Sequence, residues 1–396
     1  MRGPLSRRGA ALALVLVSAA AGCSAPPAVP RAPAASSPPP AAATTPTPSP
    51  PRSLSVVATG DVLLHPALWE QAADDGAGGD LDFAPQLAGV LPRVQEADLA
   101  VCHLETPLAP EGGPYRGYPS FAAPPQVVSA LAATGYDACT TASNHSFDAG
   151  AAGVDRTLDA LDAAGLAHAG TARTPEEAAR PTVVQVPTEH GPVAVALLSA
   201  TYGTNGVPAP EGQAWRGDLL DEDAVLAEAA AARAQGAEVV VVSLHWGDEH
   251  DPEPSAQQRE LAPRLLASPD VDLLLGHHAH VVQPVERIGD EWVAYGLGNL
   301  LAHHATAGEP LREGLLVRFE LTEQPDGGFT TTGAGFAPLL VPDEPPLGVV
   351  DVAAALGTGG APNAPVERLV RAMDRTTAVV TSRGAAAAGL EPLAAP

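Results

Sequence analysis

The sequence predicts an α/β fold in which helices cover both faces of the β-structure. Apolar runs of strand length alternate with longer segments that have the spacing of amphipathic helices, an order typical of α/β proteins. The strand-length runs are rich in Val, Leu and Ala without strict polar alternation, which indicates strands buried on both faces. The region between the two low-complexity ends has a length compatible with one large domain of this class.

Each element of this fold has its own sequence signal. The segments with strand character are 54–59, 97–104, 136–142, 193–200, 237–244, 271–275 and 292–297. The segments with helical spacing are 85–96, 125–134, 151–164, 221–235 and 255–266. Asp221 and Ser255 are suited to cap helix N-termini, and Gly135, Gly165 and Gly236 stand where helices commonly end.

The N-terminal region has the features of a bacterial secretion signal. Arginines precede a short apolar stretch that ends at Ala20-Ala21-Gly22-Cys23, and the stretch is shorter than the roughly 20 residues that a membrane span needs. Small residues before a cysteine resemble the lipobox of bacterial lipoproteins. This resemblance implies a signal peptide over 1–22, a lipid on Cys23, and an extracytoplasmic protein anchored to the cell membrane. An ordinary cleaved signal peptide is the alternative.

The domain boundaries follow from composition. Residues 23–52 are almost all Pro, Ala, Ser or Thr, which cannot bury enough apolar surface to fold, so this segment is expected to be a disordered tether. The single domain is expected to span 53–380. An alanine-rich segment near the C-terminus predicts a flexible tail over 381–396.

Charge and cysteine content exclude several classes of protein. The formal net charge is −25 and the chain contains no lysine, which argues against nucleic acid as a partner. Besides Cys23 the chain has Cys102 and Cys139, both in predicted strands. They can form one disulfide or remain two buried thiols, and they are too few for a cysteine zinc cluster.

Side chains of the types that bind divalent metals follow the predicted strands. They are Asp61, Glu105, Asn144, His145, His245, His277, His278 and His280. Loops at the carboxyl ends of strands in an α/β sheet converge on one crevice, so residues far apart in the sequence can meet there. Three imidazoles within four positions beside an apolar strand are also hard to explain by packing alone.

The order of these motifs and the residues within them resemble those of the CapA family of calcineurin-like metallophosphoesterases, proteins linked to poly-γ-glutamate capsule synthesis. The motifs are Thr59-Gly60-Asp61, Leu104-Glu105-Thr106-Pro107, Ser143-Asn144-His145-Ser146-Phe147-Asp148, His245-Trp246-Gly247-Asp248-Glu249, Gly276-His277-His278-Ala279-His280 and Gly296-Leu297-Gly298-Asn299. The resemblance covers roughly residues 53–345. It implies a layered α/β/β/α sandwich formed by a single large domain.

The resemblance also implies two divalent metal ions bridged by Glu105. Asp61 and His280 would complete one site. The remaining ligands of the other site would be Asn144, His245 and His278. Mixed oxygen and nitrogen ligands favour manganese, zinc or iron over calcium.

A catalytic role is implied for His145, which follows the ligand Asn144. In these phosphoesterases a histidine at this place protonates the leaving group or stabilises the transition state. Asp148 would hydrogen-bond to that imidazole and fix its tautomer. Alternatively, Asp148 caps the helix that follows.

Three positions depart from the expected pattern or leave it open. The wider phosphoesterase pattern has a histidine two residues after the first aspartate, where this chain has Leu63, and His65 lies two residues further on. His103 stands where CapA-like sequences commonly have Asn, and it is either an additional ligand or a surface residue. His277 and His278 leave the register ambiguous, and His278 is preferred because it keeps the spaced pair with His280.

Three functions are compatible with these motifs. The first is a CapA-like role in the synthesis, export or processing of a surface polymer such as poly-γ-glutamate, alongside other capsule-synthesis proteins. The second is a metal-dependent hydrolase, an extracytoplasmic phosphoesterase or nucleotidase. The third is a non-catalytic binding module on the same fold, which the leucine at the first motif favours.

Overall fold

The computed structural model describes residues 50–304 and 308–396, together with Ala28. Within these residues the strands are β1 (Ser53–Leu63), β2 (Leu99–Leu104), β3 (Ala138–Thr140), β4 (Ala167–Ala169), β5 (Thr182–Val186), β6 (Val193–Thr201), β7 (Val239–His245), β8 (Leu273–His277), β9 (Val285–Ile288), β10 (Glu291–Ala294), β11 (Asn299–Ala302), β12 (Glu313–Glu323), β13 (Phe329–Leu340), β14 (Val350–Asp351) and β15 (Leu390–Pro392).

The α-helices lie between or after these strands. They are α1 (Pro66–Asp75), α2 (Ala84–Leu87), α3 (Leu91–Gln95), α4 (Gln126–Thr134), α5 (Gly150–Ala164), α6 (Pro175–Ala178), α7 (Glu222–Ala234), α8 (Ala256–Leu265), α9 (Val352–Thr358) and α10 (Val366–Val380). Short 3₁₀ turns occupy Ala214–Arg216 and Glu309–Arg312. None of the helices in the described part of the chain is long and apolar enough to pass through a membrane.

The strands form two sheets. The first follows the order β14-β13-β12-β1-β2-β3-β4, with β11 paired to β1 and β15 paired to β13. The second follows the order β5-β6-β7-β8-β10-β9. Strands β1 to β4 are mutually parallel, and so are β6, β7, β8 and β10. Parallel strands end at the same edge of a sheet, which is where the candidate ligands stand.

The two sheets pack face to face between outer layers of helices. A buried apolar cluster between the sheets includes Val56, Val101, Val195, Val241 and Leu273. A second cluster packs the outer face of the first sheet against α1, α3, α4 and α5. A third packs the outer face of the second sheet against α7 and α8. The predicted fold class, a layered α/β/β/α sandwich, is therefore confirmed.

Several predicted element boundaries are reproduced closely. Asp221 caps α7 by accepting a hydrogen bond from the amide of Ala224, and Ser255 forms a capping box with Gln258 at the start of α8. Gly135 and Gly165 end α4 and α5 in the left-handed conformation. The polar and glycine signals therefore marked these helices correctly.

Other segments differ from the sequence expectation. The single helix expected over 85–96 is divided into α2 and α3, and a Cβ at the intervening Gly89 would collide with the carbonyl oxygen of Val349. Close approach of a distant segment thus interrupts the helix. In the segment expected to be a flexible tail, β15 pairs in parallel with β13, and Ala385 and Leu390 are buried.

Cys102 and Cys139 form a disulfide that joins two neighbouring strands. They are partners in the parallel register of β2 and β3, and both are buried. Of the two alternatives left open by the sequence, the disulfide is the one observed. The predicted signal peptide, Cys23 and nearly all of the predicted tether lie outside the described residues.

Candidate metal centre

The candidate ligands converge because of strand register. Asp61 in β1 lies opposite His103 in β2 and Asn299 in β11, and His245 in β7 lies opposite His277 in β8. The two sheets pack with these ends together, so side chains from both meet in one buried cluster. Gly60 allows the close approach of β1 and β11, because a Cβ there would collide with the carbonyl oxygen of Gly298.

Asp61 lies at the centre of the cluster and is fully buried. One carboxylate oxygen lies 3.0 Å from Nδ1 of His277, and the other lies 3.1 Å from Nδ1 of His280. The backbone amide of His278 also donates to it at 3.2 Å. Burial alone would raise the pKa of Asp61, but the hydrogen bonds from the two imidazoles hold it well below its usual value. Asp61 is therefore a carboxylate.

Glu105 follows β2 and is buried beside Asp61. Its Oε1 lies 3.8 Å from Nε2 of His245 and 3.8 Å from Nε2 of His280, too far for hydrogen bonds. Burial is the main cause that raises its pKa to about 7. A buried carboxyl group that lacks donors is costly unless a cation or a proton neutralises it.

His278 and His280 stand in a tight turn after β8. Both have left-handed backbone conformations, with φ of 88° and 56°, which is uncommon for residues other than glycine. Burial lowers the pKa of His278 to about 4, so its imidazole is neutral. Burial opposes charge on His280 too, but the carboxylates of Glu105 and Asp61 raise its pKa to about 9. A metal ion must displace that proton to bind His280.

Asn144 and His245 form a second part of the cluster. Oδ1 of Asn144 lies 2.9 Å from Nε2 of His245, and Nδ2 of Asn144 donates to Asn205 at 3.3 Å. His245 is fully buried, and burial together with the nearby His278 lowers its pKa well below the usual value. A neutral imidazole and an amide oxygen are both suitable ligands for a divalent metal.

The unpaired atoms of the cluster test whether it fits a metal ion. Among the described residues, both carboxylate oxygens of Glu105 and Nδ1 of His278 are buried without a hydrogen-bond partner. Three sets of side chains also hold donor atoms within 4.8 Å of one another. These sets are Asp61 with Glu105 and His280, Glu249 with His278 and His280, and Asp61 with His103 and His277. The residues present therefore fit divalent metal ions.

The structure brings together every residue proposed as a ligand from the sequence. It adds three residues whose part in the cluster the sequence left undefined. His103 and His277 belong to it, and Asn299 contacts Nδ1 of His280 at 3.1 Å through its side-chain oxygen. His277 and Asn299 stand inside the quoted motifs and His103 directly before one of them, and the sequence had marked His103 and His277 as possible ligands. His65 belongs to none of these donor sets. It therefore does not take the place of the histidine that the wider phosphoesterase pattern has where this chain has Leu63.

His145 and Asp148 form a hydrogen-bonded pair at the edge of the cluster. Nδ1 of His145 lies 2.7 Å from Oδ2 of Asp148, which also accepts from the amide of Phe121 at 2.7 Å. Burial would lower the pKa of His145, but the hydrogen bond to Asp148 and the charge of Glu105 raise it. Helix α5 begins after Ala149 without a side-chain cap, so Asp148 contacts His145 instead of capping the helix.

A cavity of about 780 Å³ opens beside the cluster. His145, Glu249 and His280 are among the residues that line it, together with His65 and Phe121. Within the described residues that line it there is no arginine, and both Glu70 and Glu249 are acidic. The cavity is large enough for part of a substrate and has direct access to the candidate ligands.

A family model described as bacterial capsule synthesis protein PGA_cap matches residues 55–304. The PGA biosynthesis protein CapA of Bacillus subtilis is 35% identical over 96 residues, which are 24% of this chain and 24% of that protein. The capsule biosynthesis protein CapA of Bacillus anthracis is 30% identical over 181 residues, 44% of this chain and 42% of that protein. A probable polyglutamine synthesis accessory protein of Mycobacterium tuberculosis is 26% identical over 246 residues, 58% of this chain and 63% of that protein. The chain thus matches between 24% and 63% of the length of these relatives.

Solved structures with a related arrangement of elements include the calcineurin-like phosphoesterase YfkN of Bacillus subtilis. Its TM-score is 0.48 at 14% identity, and the match covers 83% of this chain and 97% of that one. A 5′-nucleotidase precursor of Thermus thermophilus has a TM-score of 0.44 at 16% identity, covering 82% of this chain and 59% of that one. Likenesses of this strength say nothing about activity.

Proposed function

The chain belongs to the bacterial capsule synthesis protein family PGA_cap, and from this premise we propose that it acts in the synthesis, export or processing of a surface polymer. Poly-γ-glutamate is the polymer we propose, because relatives are named for PGA and capsule biosynthesis and for polyglutamine synthesis. Other capsule-synthesis proteins would be its partners. The activity of the protein would depend on a binuclear metal site.

The observation that carries the metal site is the unpaired, buried carboxyl group of Glu105. Its Oε1 lies 3.8 Å from Nε2 of His245 and 3.8 Å from Nε2 of His280, both of which come from the second sheet. A bridging position between two divalent ions would neutralise it. Asp61 and His280 would bind one ion, and the other would be bound by Asn144, His245 and His278. When bound, such a pair of ions clamps a phosphoryl or carbonyl oxygen and lowers the pKa of a bound water.

The side chains of this protein would supply proton transfer and orientation. Asp148 accepts a hydrogen bond from Nδ1 of His145 at 2.7 Å, which leaves Nε2 as the nitrogen free to act in the cavity. The raised pKa of His145 favours the protonated ring more than in an ordinary imidazole. In this state His145 can donate a proton to a leaving group.

The location we propose is outside the cytoplasm, with the domain held to the membrane by a lipid on Cys23. The arginines, the apolar stretch and the small residues before Cys23 support it. The Cys102–Cys139 disulfide also supports it, because disulfides persist in oxidising compartments.

Elemental analysis of the purified protein tests the metal site. We expect about two transition-metal ions per chain, and a strong decrease when Asn144→Ala and His245→Ala are combined. A matched control combines Asn363→Ala and His190→Ala, which changes the same residue types at exposed positions. Absence of bound metal after reconstitution with manganese or zinc would contradict the proposal.

A second candidate function is hydrolysis of a phosphomonoester or phosphodiester. The His145–Asp148 pair favours it, because phosphoester cleavage needs a proton for the leaving group. Turnover of aryl phosphates by the manganese-loaded protein, lost in the Asn144→Ala variant, would support this function. Metal binding without any such turnover, together with metal-dependent binding of poly-γ-glutamate, would favour the polymer role.

A further inference from the structure

His103 occupies the middle of the cluster without being one of the ligands inferred from the sequence. It is buried in β2, and its ring stacks on His277 with centroids 4.0 Å apart and on His245 with centroids 5.1 Å apart. It replaces the Asn that CapA-like sequences commonly have before Leu-Glu. A buried histidine in this position needs partners for both ring nitrogens.

Both ring nitrogens of His103 do have partners. Nδ1 lies 2.8 Å from Oγ1 of Thr140, its register partner in β3, and Nε2 lies 3.0 Å from Nδ1 of His245. A metal ligand needs a ring nitrogen whose lone pair is free. His103 is therefore not a ligand as it stands, although its donor atoms lie within 4.8 Å of those of Asp61 and His277.

Binding of a metal ion at Nε2 of His245 would give this chain of hydrogen bonds a direction. The ion would use the lone pair of Nε2, so the ring proton of His245 would lie on Nδ1 and be donated to Nε2 of His103. His103 would then carry its own proton on Nδ1 and donate it to Oγ1 of Thr140.

Nε2 of His245 faces the side-chain oxygen of Asn144. Asn144 donates its Nδ2 to Asn205, so its Oδ1 faces Nε2 of His245 at 2.9 Å. With the proton of His245 on Nδ1, both atoms present lone pairs to the same place, where one ion would accept both.

We propose that His103 is a positioning residue, which holds His245 in the Nδ1–H tautomer so that Nε2 of His245 and Oδ1 of Asn144 face one metal ion. This inference rests on the proposed metal centre. Outer hydrogen-bond partners of metal-binding histidines fix the tautomer and the ring orientation in this way. An Asn at the same place has a shorter side chain, so the device is specific to chains with histidine here.

Zinc affinity of the purified protein, measured by competition with a chromogenic chelator, tests the inference. His103→Leu removes the acceptor, and we expect affinity to fall by about 10- to 100-fold. His103→Gln keeps an acceptor oxygen and should lose less affinity than His103→Leu. The matched control is His168→Leu, the same change in β4 of the same sheet, where the ring contacts Asp162; its zinc affinity should equal that of the wild type.

The outcomes separate this inference from the proposed function. A wild-type protein that binds no zinc would overturn the metal centre, and the role of His103 with it. Wild-type zinc affinity in the His103→Leu variant would overturn the positioning role alone. Thermal unfolding of both proteins in a chelator shows whether the metal-free variant is folded.

An NMR measurement on the wild type tests the inference even if the variants do not fold. Long-range ¹H–¹⁵N spectra of the zinc-loaded wild type distinguish the two tautomers of a neutral imidazole. We expect both His103 and His245 to be protonated at Nδ1. Protonation of His103 at Nε2 would overturn the inference, because that nitrogen could then no longer accept from His245.

Discussion

At the scale of single residues, the cluster is organised by acids and imidazoles that lack enough partners of their own. Asp61 is balanced by His277 and His280, whereas the buried carboxyl of Glu105 has no hydrogen-bond donor among the described residues. A site that is destabilising when empty gains most from the ion that completes it. Glu105 should therefore destabilise the folded protein when metal is absent and promote metal binding when metal is present.

We expect Glu105→Gln to raise the free energy of unfolding of the metal-free protein at pH 8. Burial raises the pKa of Glu105 to about 7 from 4.5, so the folded state binds a proton more tightly than the unfolded state. Its stabilising contribution is complete below pH 4.5 and is lost as the pH rises through 7. The advantage of the variant should therefore shrink towards pH 5. Urea unfolding in EDTA at both pH values measures this.

The Glu105→Gln substitution should have the opposite effect on metal binding, which a metal titration of the variant measures. Its affinity for zinc should fall by at least about 100-fold, because a neutral amide replaces the carboxylate that we propose as the bridging ligand. A variant that is less stable than the wild type at pH 8 in EDTA would argue against an uncompensated buried charge.

The effect of replacing His145 on kcat should depend on how strongly the leaving group needs a proton. If the protein hydrolyses phosphoesters, His145→Ala should lower kcat by about 10²- to 10⁴-fold for alkyl phosphates, whose leaving group needs a proton. The loss should be much smaller for p-nitrophenyl phosphate, which releases a stable anion. Steady-state kinetics with both substrates, together with metal analysis, distinguish this from a loss of metal. Equal losses for both substrates would contradict proton donation.

The convergence of the candidate ligands was predictable because each lies at or soon after the end of a strand that was recognisable from its own composition. Asp61, Glu105, Asn144, His245, His278 and His280 all lie in the cluster. The function of His103 was not predictable, because it depends on Thr140 and His245, which reach it from other strands. Hydrogen-bond direction is a property of the assembled site and leaves no local signal.

At the scale of elements, strands β2 and β3 carry much of the centre. β2 contains His103 and precedes Glu105, and β3 precedes Asn144. The Cys102–Cys139 disulfide joins these strands one position before His103 and Thr140. The covalent link therefore lies close in sequence and register to the residues that precede the candidate ligands Glu105 and Asn144.

We expect the double substitution of Cys102 and Cys139 by Ala to lower the free energy of unfolding by about 2–5 kcal/mol. The disulfide closes a loop with a sequence separation of 37, and this loop restricts the unfolded chain. Urea unfolding of the wild type in oxidising and in reducing buffer gives an independent comparison. Reduction should destabilise the wild type and leave the double variant unchanged; a response of the double variant would mean that the reductant acts elsewhere.

The elements that the sequence did not predict are those held by distant contacts. Buried parallel strands such as β7 and β8 have continuous apolar runs, which were recognisable. The long antiparallel pair β12 and β13 has fewer such runs, and β15 lies in an alanine-rich segment whose order depends on pairing with β13. Tertiary pairing outweighs local composition in both cases.

At the scale of the whole molecule, charge limits the kind of partner that can approach. The chain has a formal net charge of −25 and no lysine, and no arginine is among the described residues that line the cavity. A polyanion such as poly-γ-glutamate is therefore repelled at long range. Attraction within the cavity would have to come from bound metal ions, whose charge acts over a short distance.

We expect poly-γ-glutamate to bind the metal-loaded protein more tightly when ionic strength is raised from about 10 mM to about 150 mM. The Debye length falls from about 30 Å to about 8 Å over this range, which screens the repulsion between polymer and surface. Short contacts between carboxylates and metal ions in the cavity are screened much less. Fluorescence anisotropy of labelled polymer measures the affinity, and protein treated with EDTA should not bind at either salt concentration. An affinity that decreases with added salt would instead indicate a positively charged surface as the binding site, which the composition of this chain argues against.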